Sequence, residues 1–124
     1  MKLKRLNNFD KVKVKINTSI FDLQICDDHQ TGLSGINSLI GSDGMIFFFD
    51  KSRHLSFHMK GCLFNLDLLF INNFKIEKIY HSAPPCVEQH CVKYRHHGNC
   101  VIELRGGTAK KFLLTEGLKI TIIQ

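Results

Sequence analysis

The feature that most limits what this chain can fold into is a two-residue alternation of apolar and charged side chains. It recurs along the whole length. "KVKVKI" at residues 11–16 sets Val12, Val14 and Ile16 against Lys11, Lys13 and Lys15. That is the period of a half-buried β-strand, whose successive side chains point to opposite faces. "IFDLQI" at 20–25 repeats it with Phe21, Leu23 and Ile25, so the two segments form the arms of a hairpin turning at "NTS". "MIFFFD" at 45–50 reads as a buried strand. "LSFHMK" at 55–60 alternates Leu55, Phe57 and Met59 with Ser56, His58 and Lys60. The nearly continuous apolar run "LFNLDLLFI" at 63–71 suits a central strand covered on both faces. "NN" at 72–73 suits a tight turn, because Asn tolerates positive φ, and "FKIEKIY" returns from it. "NCVIELR" at 99–105 and "GLKITII" at 117–123 complete the set.

Two stretches break the alternation. In "DDHQTGLSGINSLI" at 27–40, Leu33, Ile36 and Ile40 fall at i, i+3 and i+7, with Asp27 or Asp28 placed to cap a short helix. In "TAKKFLL" at 108–114, Thr108 is the expected cap, with Ala109, Phe112 and Leu113 on one side. About eight strands and two short helices predict a mainly β (β-rich α+β) fold. The expected form is a compact barrel or rolled sheet, a single domain over 1–124.

Composition narrows the classes. Hydrophobic residues make up 44% and charged residues 23%, which excludes a disordered chain. The longest apolar runs, "MIFFF" and "LLFI", are far shorter than the roughly 18–20 residues that span a bilayer as a helix, so no membrane partner is expected. Net charge is +6, and residues 1–15 carry +5 of it. Such a basic N-terminal arm can touch nucleic-acid phosphates or an acidic protein. A single aromatic, Phe9, stands among its basic residues and gives no series to stack on bases, so the solvated face of an early strand is the favoured reading. The opening "MKLKRLNNFDKVKVK" has no apolar stretch of the secretory kind. The expected location is cytoplasmic, or a virion assembled after cytoplasmic synthesis.

Phosphate-binding, dinucleotide-binding, nucleophile-elbow and H-E-x-x-H patterns do not occur. Two features hold the remaining chemistry. Asp67 stands inside "NLDLLF", where an ionised carboxylate must be paired or hydrogen-bonded. Lys60, ending the alternation of the segment before it, is a plausible partner. The pair then serves either to fix the hairpin or to line a polar pocket. The second feature is "HSAPPCVEQHCVKYRHHGNC" at 81–100, with three cysteines, four histidines and both prolines of the chain. Cys86, Cys91 and Cys100 with His81, His90, His96 and His97 leave four readings open. They are a structural loop with free thiols (favoured), a Cys86–Cys91 disulfide, a metal site, or a thiolate activated by a neighbouring base. No paired C-x₂-C occurs and no acidic third member is marked, so neither metal ligands nor catalytic residues are assigned, and no cofactor is expected.

In order along the chain, "GL" at 32–33, "GMIFFF" at 44–49, "FHMKGC" at 57–62, "LDLLFI" at 66–71, "APPC" at 83–86, Tyr94, "VIELRGGTA" at 101–109 and Gly117 resemble the uncharacterised family known as domain of unknown function 192. The resemblance covers about residues 20–123. Its marks carry over to Phe57, Met59, Lys60, Leu66, Asp67, Pro84, Pro85, Cys86, Tyr94, Glu103 and Gly107. His58 stands where the family usually has tryptophan, Cys62 where threonine is common, and Leu118 where an aspartate usually follows the glycine. The lost tryptophan weakens any aromatic ligand platform. The resemblance implies a small β-rich fold and no reaction. Short versions in phage genomes make an accessory or virion role one expectation.

Together these readings place a binding site where the Cys/His loop, 81–99, packs over one end of the barrel: Lys60, Asp67, Cys86 and Tyr94. The expected function is a non-enzymatic binding or assembly module whose partner is another protein or a larger assembly. Nucleic acid bound through residues 1–15 is the less favoured partner. The rival is a cysteine-dependent enzyme or metal-dependent small-molecule binder using the same loop.

Overall fold

A computed structural model describes residues 11–26 and 42–123. The described residues form seven strands and one helix in the order β1 (Lys11–Ile16), β2 (Ser19–Cys26), β3 (Gly44–His58), β4 (Leu66–Asn72), β5 (Lys75–Ala83), β6 (Lys93–Arg105), α1 (Thr108–Lys111) and β7 (Ile120–Ile123). All strands join one sheet, ordered β5-β4-β6-β3-β2-β1-β7. The sheet rolls until its edges approach. Lys75 and Lys119 form an isolated bridge, the Ile76 N–H donates to Leu118 O at 2.8 Å, and the Ile120 N–H donates to Phe74 O at 2.8 Å. The ladders stop short of full closure, so the fold is a rolled, barrel-like sheet.

The predicted hairpin is present. Ile16 pairs with Ser19 across a two-residue turn in which Asn17 takes φ 60°. Asn73 and Phe74 form the turn between β4 and β5, with φ 50° and 65°. β3 joins the two segments expected as separate strands. One 15-residue strand runs from Gly44 to His58, and its pairing with β6 is interrupted between Phe48 and Arg53. A bulge of this kind bends a strand without ending it, which is why seven strands are observed where eight were expected. The helix expected over 27–40 lies outside the described residues, as do residues 1–10. Lys11, Lys13 and Lys15 lie on the exposed face of β1, between β2 and β7, with Lys13 Nζ 2.7 Å from Asp22. That stretch is a sheet strand rather than a free arm.

Alternation divides the sheet into two apolar faces. Val12, Val14, Phe21, Leu23, Ile46, Leu69, Ile102 and Leu104 pack inside the roll with Ala109 and Leu114 from the α1 region. Met45, Phe47, Leu55, Phe57, Met59, Leu66, Leu68, Phe70 and Val101 form the second cluster. The bend in β3 brings its distal half onto its own beginning, and Phe57 meets Phe47 edge to face at 5.2 Å between centroids. Edge-to-face contacts continue from Phe57 to Phe70 (5.9 Å), to Tyr80 (5.8 Å) and to Tyr94 (5.2 Å). This aromatic series ties the second core to the 84–92 loop.

Candidate functional site

The Cys/His segment is smaller as a loop than its sequence suggests. β5 continues through His81 to Ala83 and β6 begins at Lys93, so His96 and His97 are strand residues. Only residues 84–92 form the loop. Cys86 and Cys91 are joined in a disulfide with Cα atoms 5.9 Å apart, which replaces the favoured expectation of free thiols. Their Cα separation lies within the range that a disulfide spans. Cys86 is therefore no free nucleophile in this form. His96 Nε2 lies 3.3 Å from Glu77 Oε1. Among the described residues, no three His, Cys, Asp or Glu side chains converge on one point.

The loop is anchored at its base. The Cys86 N–H donates to Met59 O at 3.1 Å, the Cys62 N–H donates to the same oxygen at 3.3 Å, and Lys60 forms a parallel bridge with Cys86. Between loop and sheet lies a cleft of about 220 Å³ lined by Met59, Pro84, Pro85, Cys86, Val87, Glu88, His90, Val92 and Tyr94. Val87 is 94% exposed and Val92 67% exposed. Tyr94 is half-buried, braced by Tyr80, whose Oη donates to Arg95 O at 2.8 Å.

Three of the four predicted binding residues gather here. Cys86 and Tyr94 line the cleft, and Lys60 adjoins it through the Cys86 bridge. Asp67 does not join them. Its carboxylate, fully buried, accepts N–H groups from Ser82 (2.8 Å), Gly107 (3.2 Å) and Ala109 (2.8 Å). These bonds lock β4 to β5 and to the start of α1, so Asp67 is a structural clamp. The expected ion pair with Lys60 does not form, because backbone donors already occupy both carboxylate oxygens. The same bonds correct the helix reading. Gly107 is the cap residue and no side-chain cap bond comes from Thr108; Asp67 supplies the acceptor from across the sheet. Leu113, expected inward, is 73% exposed, while Leu114 is buried.

One residue of chemical interest is a mark of the family resemblance that the sequence reading does not assign to the site. Glu103 is fully buried, and neither carboxyl oxygen has a hydrogen-bond donor among the described residues. It pairs with Met45 on one side and Leu68 on the other, both in the second core. Burial pushes its carboxyl up to about 8. Nearby Cys62, half-buried, is pushed up to about 11, first by burial and then by the Glu103 charge. The signal in the sequence was the acid inside "VIELR", where alternation puts Glu103 on the same side as Val101.

A family model described as "Uncharacterized ACR", domain of unknown function 192, matches residues 11–122. No curated protein matches. Among solved structures, the chain is similar to a protein from Sinorhizobium meliloti 1021 described as a "putative transcription regulator". That match has 24% identity and a TM-score of 0.81, covering 95% of this chain and 98% of the other. It is also similar to a protein of unknown function from Novosphingobium aromaticivorans DSM 12444. There the identity is 21% and the TM-score 0.76, covering 90% of this chain and 84% of the other. These two likenesses establish the shared fold.

Proposed function

We propose, on the premise that this chain belongs to the uncharacterised domain of unknown function 192 family, that it is a non-enzymatic binding module that docks to another protein through the disulfide-closed loop. The observation that carries this reading is the exposure of Val87 and Val92 on a loop anchored by a disulfide and by two backbone contacts to residues 59–60. Apolar side chains held in water by a rigid frame contribute to binding, because little conformational freedom remains to be lost. The cleft, about 220 Å³, is smaller than the roughly 300–1,000 Å³ of small-molecule pockets. It suits a single apolar anchor side chain projecting from a protein partner, with Glu88, His90 and Lys60 at the polar rim. The same surface would serve incorporation into a larger assembly such as a virion.

The test is a photocrosslinking residue at position 87 in the native host, followed by purification of the captured protein and a binding measurement. The double variant V87D/V92D is expected to lose at least tenfold in affinity for that protein, while deletion of residues 1–10 changes it little. Unchanged affinity in V87D/V92D refutes loop docking. Loss on deletion of residues 1–10 alone, steepening at low salt, assigns binding to the basic arm instead.

A further inference from the structure

A second cleft opens at the seam, next to the Lys75–Lys119 bridge. It lies between the irregular stretch of β3, the β4–β5 turn, β6 at Asn99 and Cys100, and β7. Its volume is about 590 Å³. Unlike the loop cleft, it falls within the roughly 300–1,000 Å³ of small-molecule pockets, for which the mouth of a barrel is a favoured place. Its walls are tied to one another. The Asn73 N–H donates to Asn99 Oδ1 at 3.2 Å, and Ser52 Oγ donates to Asn72 Oδ1. The Ile120 N–H donates to Phe74 O at 2.8 Å on the β7 side. A frame fixed in advance loses little freedom when a ligand enters.

The aromatic wall is held against local preference. Asn73 and Phe74 are the two central residues of the β4–β5 turn, at φ 50° and 65°. Asn-Gly is the pair such turns favour, because a bulky side chain resists positive φ. Strain of this kind gathers at ligand clamps. Like Phe48 and Ile122, Phe74 is only half-buried against the inner core, so apolar surface remains for a guest. One charged side chain lines the cleft, Asp50. It is exposed and makes no ion pair among the described residues. Arg53, three residues on, lies instead over the Phe49 ring, its guanidinium carbon 4.8 Å from the centroid. Lys75 and Lys119, one residue from Phe74 and Ile120, are exposed and outside the lining. The other polar side chains of the lining, Asn73 and Asn99, are neutral amides. An anionic ligand would meet Asp50 as a like charge. An ammonium head brings three donors, which match the carboxylate and amide oxygens, and aromatic faces attract a cation further.

From this arrangement we infer that the seam cleft is a small-molecule site for a primary amine carried on an apolar chain or ring. The ammonium sits at Asp50 and the apolar body lies against Phe48, Phe74 and Ile122. The site shares no lining residue with the loop cleft and does not rest on loop docking.

The experiment titrates the full ¹⁵N-labelled chain with 2-phenylethylamine and follows its amide resonances. The anionic 3-phenylpropionate and the neutral 2-phenylethanol are the controls. The amine is expected to shift the Asn73, Phe74 and Asn99 resonances saturably, with a dissociation constant of about 1 mM or below. Phenylpropionate should bind at least fivefold more weakly. D50N, a change at an exposed position, should weaken the amine at least threefold and leave phenylethanol unchanged. F74G relieves the positive φ, so the fold is kept while all ligands weaken at least fivefold. The inference is overturned if the amine does not saturate these resonances by about 20 mM, some twentyfold above the expected constant. It is overturned equally if phenylpropionate binds as well as the amine, if D50N or F74G binds the amine as the native chain does, or if the shifts fall on residues 84–92 instead.

Discussion

The most demanding prediction concerns stability against pH in the variant E103Q. Burial raises the Glu103 carboxyl from 4.5 in the unfolded chain to about 8 in the fold. Between those values the native state holds a proton that the unfolded state has released. Stability linked to this group is therefore fully present below about 4.5, falls as pH rises, and is gone once pH passes about 8. A difference of about 3.5 units (8 − 4.5) at about 1.4 kcal/mol per unit is worth on the order of 5 kcal/mol across the window. About 3 kcal/mol of it has been lost by pH 7. Glutamine keeps the shape and carries no titrating proton. E103Q should therefore match the native chain near pH 4.5 and exceed it by several kcal/mol at pH 8. Urea denaturation with the disulfide intact, at half-unit steps from pH 4.5 to 9, reads the difference. Subtracting the two curves removes the histidines and other acids common to both. A difference that stays constant over the window would show that Glu103 titrates normally, and the reasoning about its isolation would fail.

Four further outcomes follow from the geometry. Asp67→Ala strips the acceptor from three backbone N–H groups and should cost about 3 kcal/mol or more in urea denaturation at pH 7, with Asp67→Asn near half of that. Gly98→Ala places a Cβ 2.6 Å from the Ile71 carbonyl oxygen, forcing β4 and β6 apart; a loss of about 1–3 kcal/mol and a lowered melting temperature are expected. The C86S/C91S double variant opens a short loop, with a sequence separation of 5, and should lose about 2 kcal/mol of stability. In the denatured native chain a thiol titration should find three free cysteines, Cys26, Cys62 and Cys100, and in the folded chain Cys62 should react first because Cys26 and Cys100 are buried.

How far the sequence could be followed depends on what each feature encodes. Alternation reports which face a side chain takes, so Val12, Val14, Ile16, Leu55, Phe57 and Met59 were placed correctly inside. It does not report whether a strand ends or bends. The polar residues 50–54 therefore read as a break, where β3 in fact continues through an irregular register. Cysteine spacing left the loop open to four readings, and only the path of the folded loop, which brings the Cys86 and Cys91 Cα atoms to 5.9 Å, selects their pairing.

The two buried acids show the same limit more sharply. Asp67 and Glu103 both sit in apolar runs, one strand apart, and Asp67 pairs in register with Leu104, beside Glu103. Periodicity marks each as an acid in the wrong solvent and stops there. What separates them is supplied from 15 to 42 residues away along the chain: the Ser82, Gly107 and Ala109 amides that meet Asp67, for which Glu103 has no counterpart among the described residues. An acid with its donors in place holds the fold together. An acid without them weakens the fold, and that asymmetry makes Glu103, rather than Asp67, the acid whose replacement by glutamine should leave a more stable protein at neutral pH.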